Sequence, residues 1–272
     1  MQISNSNIGF IGAGNMATAL IEGLLTQGIT PALLWASDAD DTKLRIFADK
    51  GLHTTVDNTA VIAACDVVVL AVKPQVMPQV LAALAPALQS KNCLLISIAA
   101  GIRISSIVSA THADQAVVRC MPNTPALVQA GATALFANAK VSAEQKKLAG
   151  NIMEAVGMSC WLNTEAQLDA VTALSGSGPA YFFLLMEAMQ NTGIALGLPA
   201  DVSRTLCLQT AFGAAKLALH SDVDVAELRR RVTSPGGTTE AAIKQFEADD
   251  LHAIVARALF KAADKSKELS GN

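Results

Sequence analysis

Apolar positions fall in two different patterns along this chain, and the pattern changes once. Up to about residue 163, short, mainly apolar runs recur at 8–11, 33–36, 66–72, 93–98, 116–120, 132–136 and 159–162. Such runs, without polar alternation, predict strands covered on both faces, as in a parallel sheet. Between them the spacing turns helical. Met16, Leu20, Ile21, Leu24 and Leu25 share one face, and similar patterns cover 41–50, 75–89, 102–110 and 142–155. Beyond Thr164 the strand runs stop. A long helical pattern at 165–196 is interrupted at 175–179 by Ser-Gly-Ser-Gly-Pro, where proline and small residues kink a helix. Further helices are expected at 200–219, 223–232, from Thr238 and Thr239 onward, and at 250–268.

Alternating strands and helices followed by helices alone predict an α/β fold. Residues 1–163 form a Rossmann-like doubly wound, mostly parallel sheet, and 164–272 form an all-α domain. Ligands on such sheets sit at the carboxyl ends of the strands. The irregular pieces at 12–15, 37–38, 73–74, 99–101 and 121–125 should therefore gather on one edge. In the helical half, Ala180 to Met189 has Glu187 as its sole charge. A helix apolar on most faces must be covered on most faces, so this half is expected to form a homodimer, with a higher assembly of dimers left open.

Composition narrows the classes. The chain has 272 residues, 51% hydrophobic but only 4% aromatic, so its core is built from Ala, Val, Leu and Ile. No apolar run reaches the ~18–20 residues that span a bilayer. The net charge of −3 is made of scattered charges of both signs, which argues against nucleic acid and membrane surfaces as partners. The five cysteines and four histidines are dispersed without ligand spacing; no metal is expected, and the thiols read as reduced and mostly buried. No leader pattern precedes the first strand, so the expected location is cytoplasmic.

The candidate chemistry begins at Ile11-Gly12-Ala13-Gly14-Asn15-Met16-Ala17. Here G-x-G-x-x-A joins a strand to a helix, the setting for dinucleotide binding. Gly12 lets the turn form, Gly14 lets a pyrophosphate approach the backbone, and Ala17 lets the helix pack closely. The helix's first N–H groups lack internal partners and favour an anion. The residue that meets the adenine ribose is expected about 20 positions further on, at Ser37-Asp38. A hydroxyl there accepts the 2′-phosphate of NADP; a carboxylate favours the free 2′-hydroxyl of NAD. Spacing leaves the choice open, with Lys43 and Arg45 able to reach back. Lys73, at the end of the central strand, can face the cofactor. The stretch 234–239, Ser-Pro-Gly-Gly-Thr-Thr, is a second glycine-rich helix start, suited to a carboxylate. No Ser-His-Asp or Cys-His spacing occurs.

At this point the chain resembles the pyrroline-5-carboxylate reductase family over nearly its whole length. The matching stretches are G-F-I-G-A-G-N-M-A (9–17), A-V-K-P (71–74), S-I-A-A-G (97–101), R-C-M-P-N-T-P (119–125), S-G-S-G-P-A-Y (175–181) and V-T-S-P-G-G-T-T (232–239). The resemblance implies hydride transfer from NADPH or NADH to 1-pyrroline-5-carboxylate, giving L-proline, the last step of proline biosynthesis. It implies cofactor contacts from Ile11 through Met16, Ser37, Asn58, Ala71, Val72, Lys73, Pro74, Ala99, Ala100 and Gly101. It implies substrate contacts from Ser234, Pro235, Gly236, Gly237, Thr238 and Thr239, with the amides of 236–238 on the carboxylate. Thr239 is the candidate for the hydrogen bond to the ring nitrogen. A β-hydroxyacid dehydrogenase shares the two-domain layout but needs a base such as a Lys after the glycine-rich kink, and none lies between Gly178 and Glu187. A non-catalytic NAD(P)-binding regulator is the third reading, disfavoured by the intact loop.

Overall fold

The computed structural model describes residues 6–271; the outermost ends of the expected domains 1–163 and 164–272 lie outside them. The chain divides into two compact units, 1–177 with 262–272, and 178–261. The division falls after the expected boundary because two pieces bond to the sheet-bearing unit. Glu165 pairs with Arg119 at 2.9 Å, and the Ser266 hydroxyl donates to Asp169 at 2.7 Å.

The first unit carries eight strands: β1 (Ile8–Ile11), β2 (Leu34–Ser37), β3 (His53–Thr55), β4 (Val67–Leu70), β5 (Leu94–Ser97), β6 (Val117–Met121), β7 (Gly131–Ala137) and β8 (Gly157–Trp161). Their order is β3-β2-β1-β4-β5-β6-β7-β8. All neighbours are parallel except β6 with β7, as expected for a mostly parallel doubly wound sheet. The order reverses between β1 and β4, which opens a crevice at their carboxyl ends. Helices α1 (Asn15–Thr26), α2 (Arg45–Ala48), α3 (Asn58–Ala64), α4 (Met77–Ser90), α5 (Ile104–Ala110) and α6 (Ala143–Glu154) connect the strands. Two apolar clusters cover the sheet, one containing Phe10, Leu20 and Val69, the other Ile11, Leu70 and Leu95. This explains the apolar runs of the central strands: alternate residues of β1, β4, β5 and β6 enter opposite clusters.

Three local features depart from the sequence expectation. Strand β3 and helix α3 lie in a stretch for which no element is expected, although α3 carries the apolar run Ala60–Ala64. Their placement comes from pairing with β2 and from the Asp57 side chain, which accepts the Thr59 amide at the start of α3. The expected helix at 41–50 is a 3₁₀ turn, Asp41–Leu44, followed by the single turn of α2. The interruption of the long helix is a π-helical turn over Thr172–Gly176, between α7 (Gln167–Val171) and α8 (Gly178–Ala195); the Ser177 amide bonds the Thr172 carbonyl at 2.8 Å, five residues back.

The second unit contains α8, α9 (Ala200–Leu219), α10 (Val225–Arg231), α11 (Thr238–Ala248) and most of α12 (Leu251–Leu269). Helices α8 and α9 run antiparallel. The Ser203 hydroxyl donates to the Gln190 carbonyl, and one helical turn on, the Cys207 thiol meets the Met186 carbonyl. Along α8, Phe182, Phe183, Leu184, Leu185 and Met189 remain exposed, at 48–67%. Contiguous apolar exposure on this scale marks an interaction surface.

Candidate functional site

Register brings the first group of candidate residues to one edge. Ile11 lies beside Ser37 and Leu70, Leu70 beside Ser97, and Ser97 beside Arg119. The segments that follow these strands therefore leave the sheet side by side. Gly12 has φ +101, and a Cβ there would lie 2.8 Å from the Ala71 carbonyl carbon and oxygen. Glycine is required both for the backbone angle and for the close approach to the 71–74 loop. The two loops are joined by the Ala71 amide, which donates to the Ile11 carbonyl at 2.8 Å. A Cβ on Gly14 would meet nothing within 4 Å, and no side chain caps the start of α1. Open space before an uncapped helix start is what a phosphate group needs.

The Gly turn is held by its neighbour strand. The Gly12 amide donates to the Ser37 carbonyl at 2.7 Å, and the Ala13 amide donates to Asp38 Oδ2 at 2.8 Å. Asp38 Oδ1 takes the Asp40 amide and lies 3.3 Å from Lys43 Nζ. Burial raises the carboxyl's pKa, but these three donors outweigh it and hold Asp38 below the usual carboxylate range. Lys43 does reach back, as its spacing allows. The Ser37 side chain does not face outward: it is fully buried, and its hydroxyl donates to Asn58 Oδ1 at 2.7 Å. Ile11 is likewise fully buried and presents only backbone. Lys73 is exposed at the head of the Pro74–Val76 turn. After β5, Ala99 is buried, Ala100 is exposed and Gly101 takes φ +75.

The second group lies in the helical unit. In the 234–239 loop the Gly237 amide donates to the Ser234 carbonyl at 3.0 Å, and the Gly236 amide donates to Glu240 Oε2 at 2.9 Å. These bonds close the turn but take two of the amides expected to meet a carboxylate. The Gly236 bond and the Lys244 ammonium lower the Glu240 pKa. Helix α11 starts at Thr238 with Gly237 as its cap residue and no side-chain cap. Its first amides, from Thr238 onward, lack acceptors within the helix and suit an anion. Thr239 is thus the second helical residue, half-buried, rather than a cap.

Sequence reasoning missed three residues. Glu240 acts through a reach-back bond that resembles a capping box, a pattern readable from its spacing to Gly237. Asn123 accepts the Ala132 amide and donates to the Ser175 carbonyl, joining the M-P-N-T-P stretch to the π turn. Glu165 accepts the Ile104 amide at 2.8 Å and Arg119 at 2.9 Å. The last two depend on long-range contacts that no local pattern announces. Among the described residues no cluster of His, Cys, Asp and Glu could hold a metal ion, and no helix is long and apolar enough to cross a membrane.

Residues 165–269 match the family model for pyrroline-5-carboxylate reductase dimerisation, and residues 7–101 match that for NADP oxidoreductase, coenzyme F420-dependent. The chain is 53% identical to pyrroline-5-carboxylate reductase of Pseudomonas aeruginosa over 98% of both chains. It is 40% identical to that of Pasteurella multocida over 97% of both. Among solved structures, pyrroline-5-carboxylate reductase of Coxiella burnetii superposes with a TM-score of 0.94 at 45% identity, covering 97% of this chain and 98% of that one. Pyrroline carboxylate reductase of Plasmodium falciparum, solved with NADP bound, gives 0.87 at 32%, covering 99% and 100%. A dinucleotide-type turn, a glycine-rich helix start and a full-length match at this identity lead to one conclusion: the chain belongs to the pyrroline-5-carboxylate reductase family.

Proposed function

We propose that this chain reduces 1-pyrroline-5-carboxylate to L-proline as the last step of proline biosynthesis, with NADPH as reductant and NADH as an alternative. The observation that carries the reading is the open, uncapped start of α1 beyond Gly14, at the edge where the sheet order reverses. The dinucleotide's diphosphate would be held by the turn from Ile11 to Met16. Asn58 and the Ala71-Val72-Lys73-Pro74 loop would line the cofactor, and Ala99, Ala100 and Gly101 would face the nicotinamide side. Ser37 belongs to this set through its backbone and its bond to Asn58. On the adenosine side Lys43 would be a cation for a 2′-phosphate, exchanging its 3.3 Å contact with Asp38 for the phosphate, and the exposed Arg45 lies two residues further on.

When bound, the reduced dinucleotide supplies the hydride. The imine carbon of the substrate accepts it, the C=N π pair moves to nitrogen, and nitrogen carries the proton of the product amine. A protonated imine is already a good acceptor, so the protein's part is mainly positioning. The first amides of α11, from Thr238 onward, would hold the substrate carboxylate. Ser234, Pro235, Gly236 and Gly237 would shape the loop, and the Thr239 hydroxyl would hydrogen-bond the ring nitrogen.

The assembly follows from the same reading. The exposed apolar faces of α8 and α9 support a two-fold homodimer through the C-terminal helices, the unit of any higher assembly. Free cysteines, four of the five buried, accord with a cytoplasmic location. Mixing the purified protein with NADPH and 1-pyrroline-5-carboxylate, and following loss of reduced-nicotinamide absorbance with proline formation, tests the reading. Absence of substrate-dependent NADPH and NADH oxidation would overturn it.

A further inference from the structure

The loop after β5 is supported from behind by groups that the reaction does not use. Gly101 lies so close to the last turn of α12 that a Cβ there would sit 3.2 Å from the Leu269 carbonyl oxygen. That turn is fixed by Ser266, whose hydroxyl donates to Asp169 Oδ1 at 2.7 Å. Ser266 is 4% exposed and Asp169 6%, and 97 residues separate them. The other end of the loop is held by the Ile104 amide on Glu165, which also takes Arg119. Arg103, Arg119, Glu165, Ala166 and Asp169 line a partly open cavity of about 50 Å³. Burying a hydroxyl and a carboxylate is unfavourable unless they are paired. Their mutual bond is therefore specific to one seating of the α12 terminus.

We propose that Asp169 and Ser266 are positioning residues for the dinucleotide: by seating the last turn of α12 against Gly101 they set the backbone of Ala99–Gly101. This rests on the reading that those residues face the nicotinamide side. Neither side chain touches the reacting atoms; both act through the loop.

The consequence is selective. A misplaced loop weakens contacts to the nicotinamide half of the cofactor and leaves the adenosine half, held at α1 and β2, as it was. The test compares NADPH with 2′-phospho-ADP-ribose, which lacks the nicotinamide, by calorimetry on the full-length protein. Ser266→Ala should weaken NADPH about fivefold to tenfold, the range for one lost hydrogen bond, and leave 2′-phospho-ADP-ribose unchanged. The fluorescence of bound NADPH, which reports the surroundings of the ring, should change in the same variant. Asp169→Asn, which keeps an acceptor for Ser266, should bind both ligands nearly as the parent does, whereas Asp169→Ala, which removes the acceptor, should repeat the selective loss and serves if Ser266→Ala does not fold. In that event unchanged NADPH affinity in Asp169→Ala, or equal weakening of both ligands, would overturn the proposal. So would equal weakening of both ligands in Ser266→Ala, or unchanged NADPH affinity. A parent protein that oxidises NADPH with 1-pyrroline-5-carboxylate while Ser266→Ala binds normally would remove this proposal and leave the assigned reaction standing.

Discussion

The Asp38 carboxylate accepts the amide of Ala13 at 2.8 Å, so the residue that follows β2 also fastens the glycine turn. One side chain thereby serves loop geometry and local charge together. Asp38→Asn keeps an acceptor for Ala13 but releases Lys43 from its partner. The expected result is a kcat/KM ratio shifted about tenfold towards NADPH over NADH, one charge contact being worth ~1–2 kcal/mol when partly screened. Asp38→Ala should instead weaken both cofactors, because the Ala13 amide loses its acceptor. Steady-state kinetics with each cofactor separates the two effects.

The same carboxylate gives a pH dependence of stability. Its pKa in the folded chain is lowered, so it stabilises the fold fully above its unfolded value of about 3.9. That contribution falls away as pH drops below this value and through the lower folded one. Acid unfolding of Asp38→Asn should therefore show a shallower loss of stability below about pH 4 than the parent, measured by circular dichroism across a pH series.

Gly12 and Gly14 should fail in different ways. Gly14→Val adds atoms where the protein has none within 4 Å. The fold should persist, with a melting temperature near the parent's, while NADPH binding is lost. Gly12→Ala meets both a φ of +101 and a backbone contact at 2.8 Å. A measurable drop in melting temperature is expected there, strain of this kind costing on the order of 1–3 kcal/mol.

Thr239 can now be examined without a capping complication, because Gly237 is the cap residue of α11. Thr239→Ala should leave stability nearly unchanged and lower kcat about 10- to 100-fold, with Thr239→Ser nearly normal. A raised KM with unchanged kcat would restrict Thr239 to substrate binding.

The helical unit exposes Leu184 at 67% and Leu185 at 49%. Leu184→Glu is expected to yield monomers of low stability and little activity. Light scattering together with the NADPH assay checks this; a stable, fully active monomer would exclude the α8 face from the interface.

Thiol reactivity offers an independent check of the core. Burial pushes the Cys65 thiol up to about 12 and Cys93 to about 11, and raises Cys120 further. Cys160 is the exposed thiol. In the folded protein a thiol reagent should modify Cys160 rapidly and the other four slowly, all five reacting at one rate in denaturant.

Much of this was present in the chain itself. Continuous apolar runs such as 67–72 determined a parallel sheet with both faces covered, since a strand with one wet face would alternate. The G-x-G-x-x-A turn, the Ser-Pro-Gly-Gly-Thr-Thr helix start and the change to helices after Thr164 are local patterns, each readable because glycine and proline restrict or free the backbone near themselves. Tertiary structure decided which groups remain available for ligands. Ser37 sits at the expected position, yet its hydroxyl is buried against Asn58; the Gly236 amide lies in the expected turn, yet Glu240 takes it. It also decided that residues 165–177 and 262–271 belong with the sheet, through Glu165–Arg119 and Asp169–Ser266. Such pairings join residues tens of positions apart, and a hydrogen bond depends on distance in space, which periodicity along the chain does not encode.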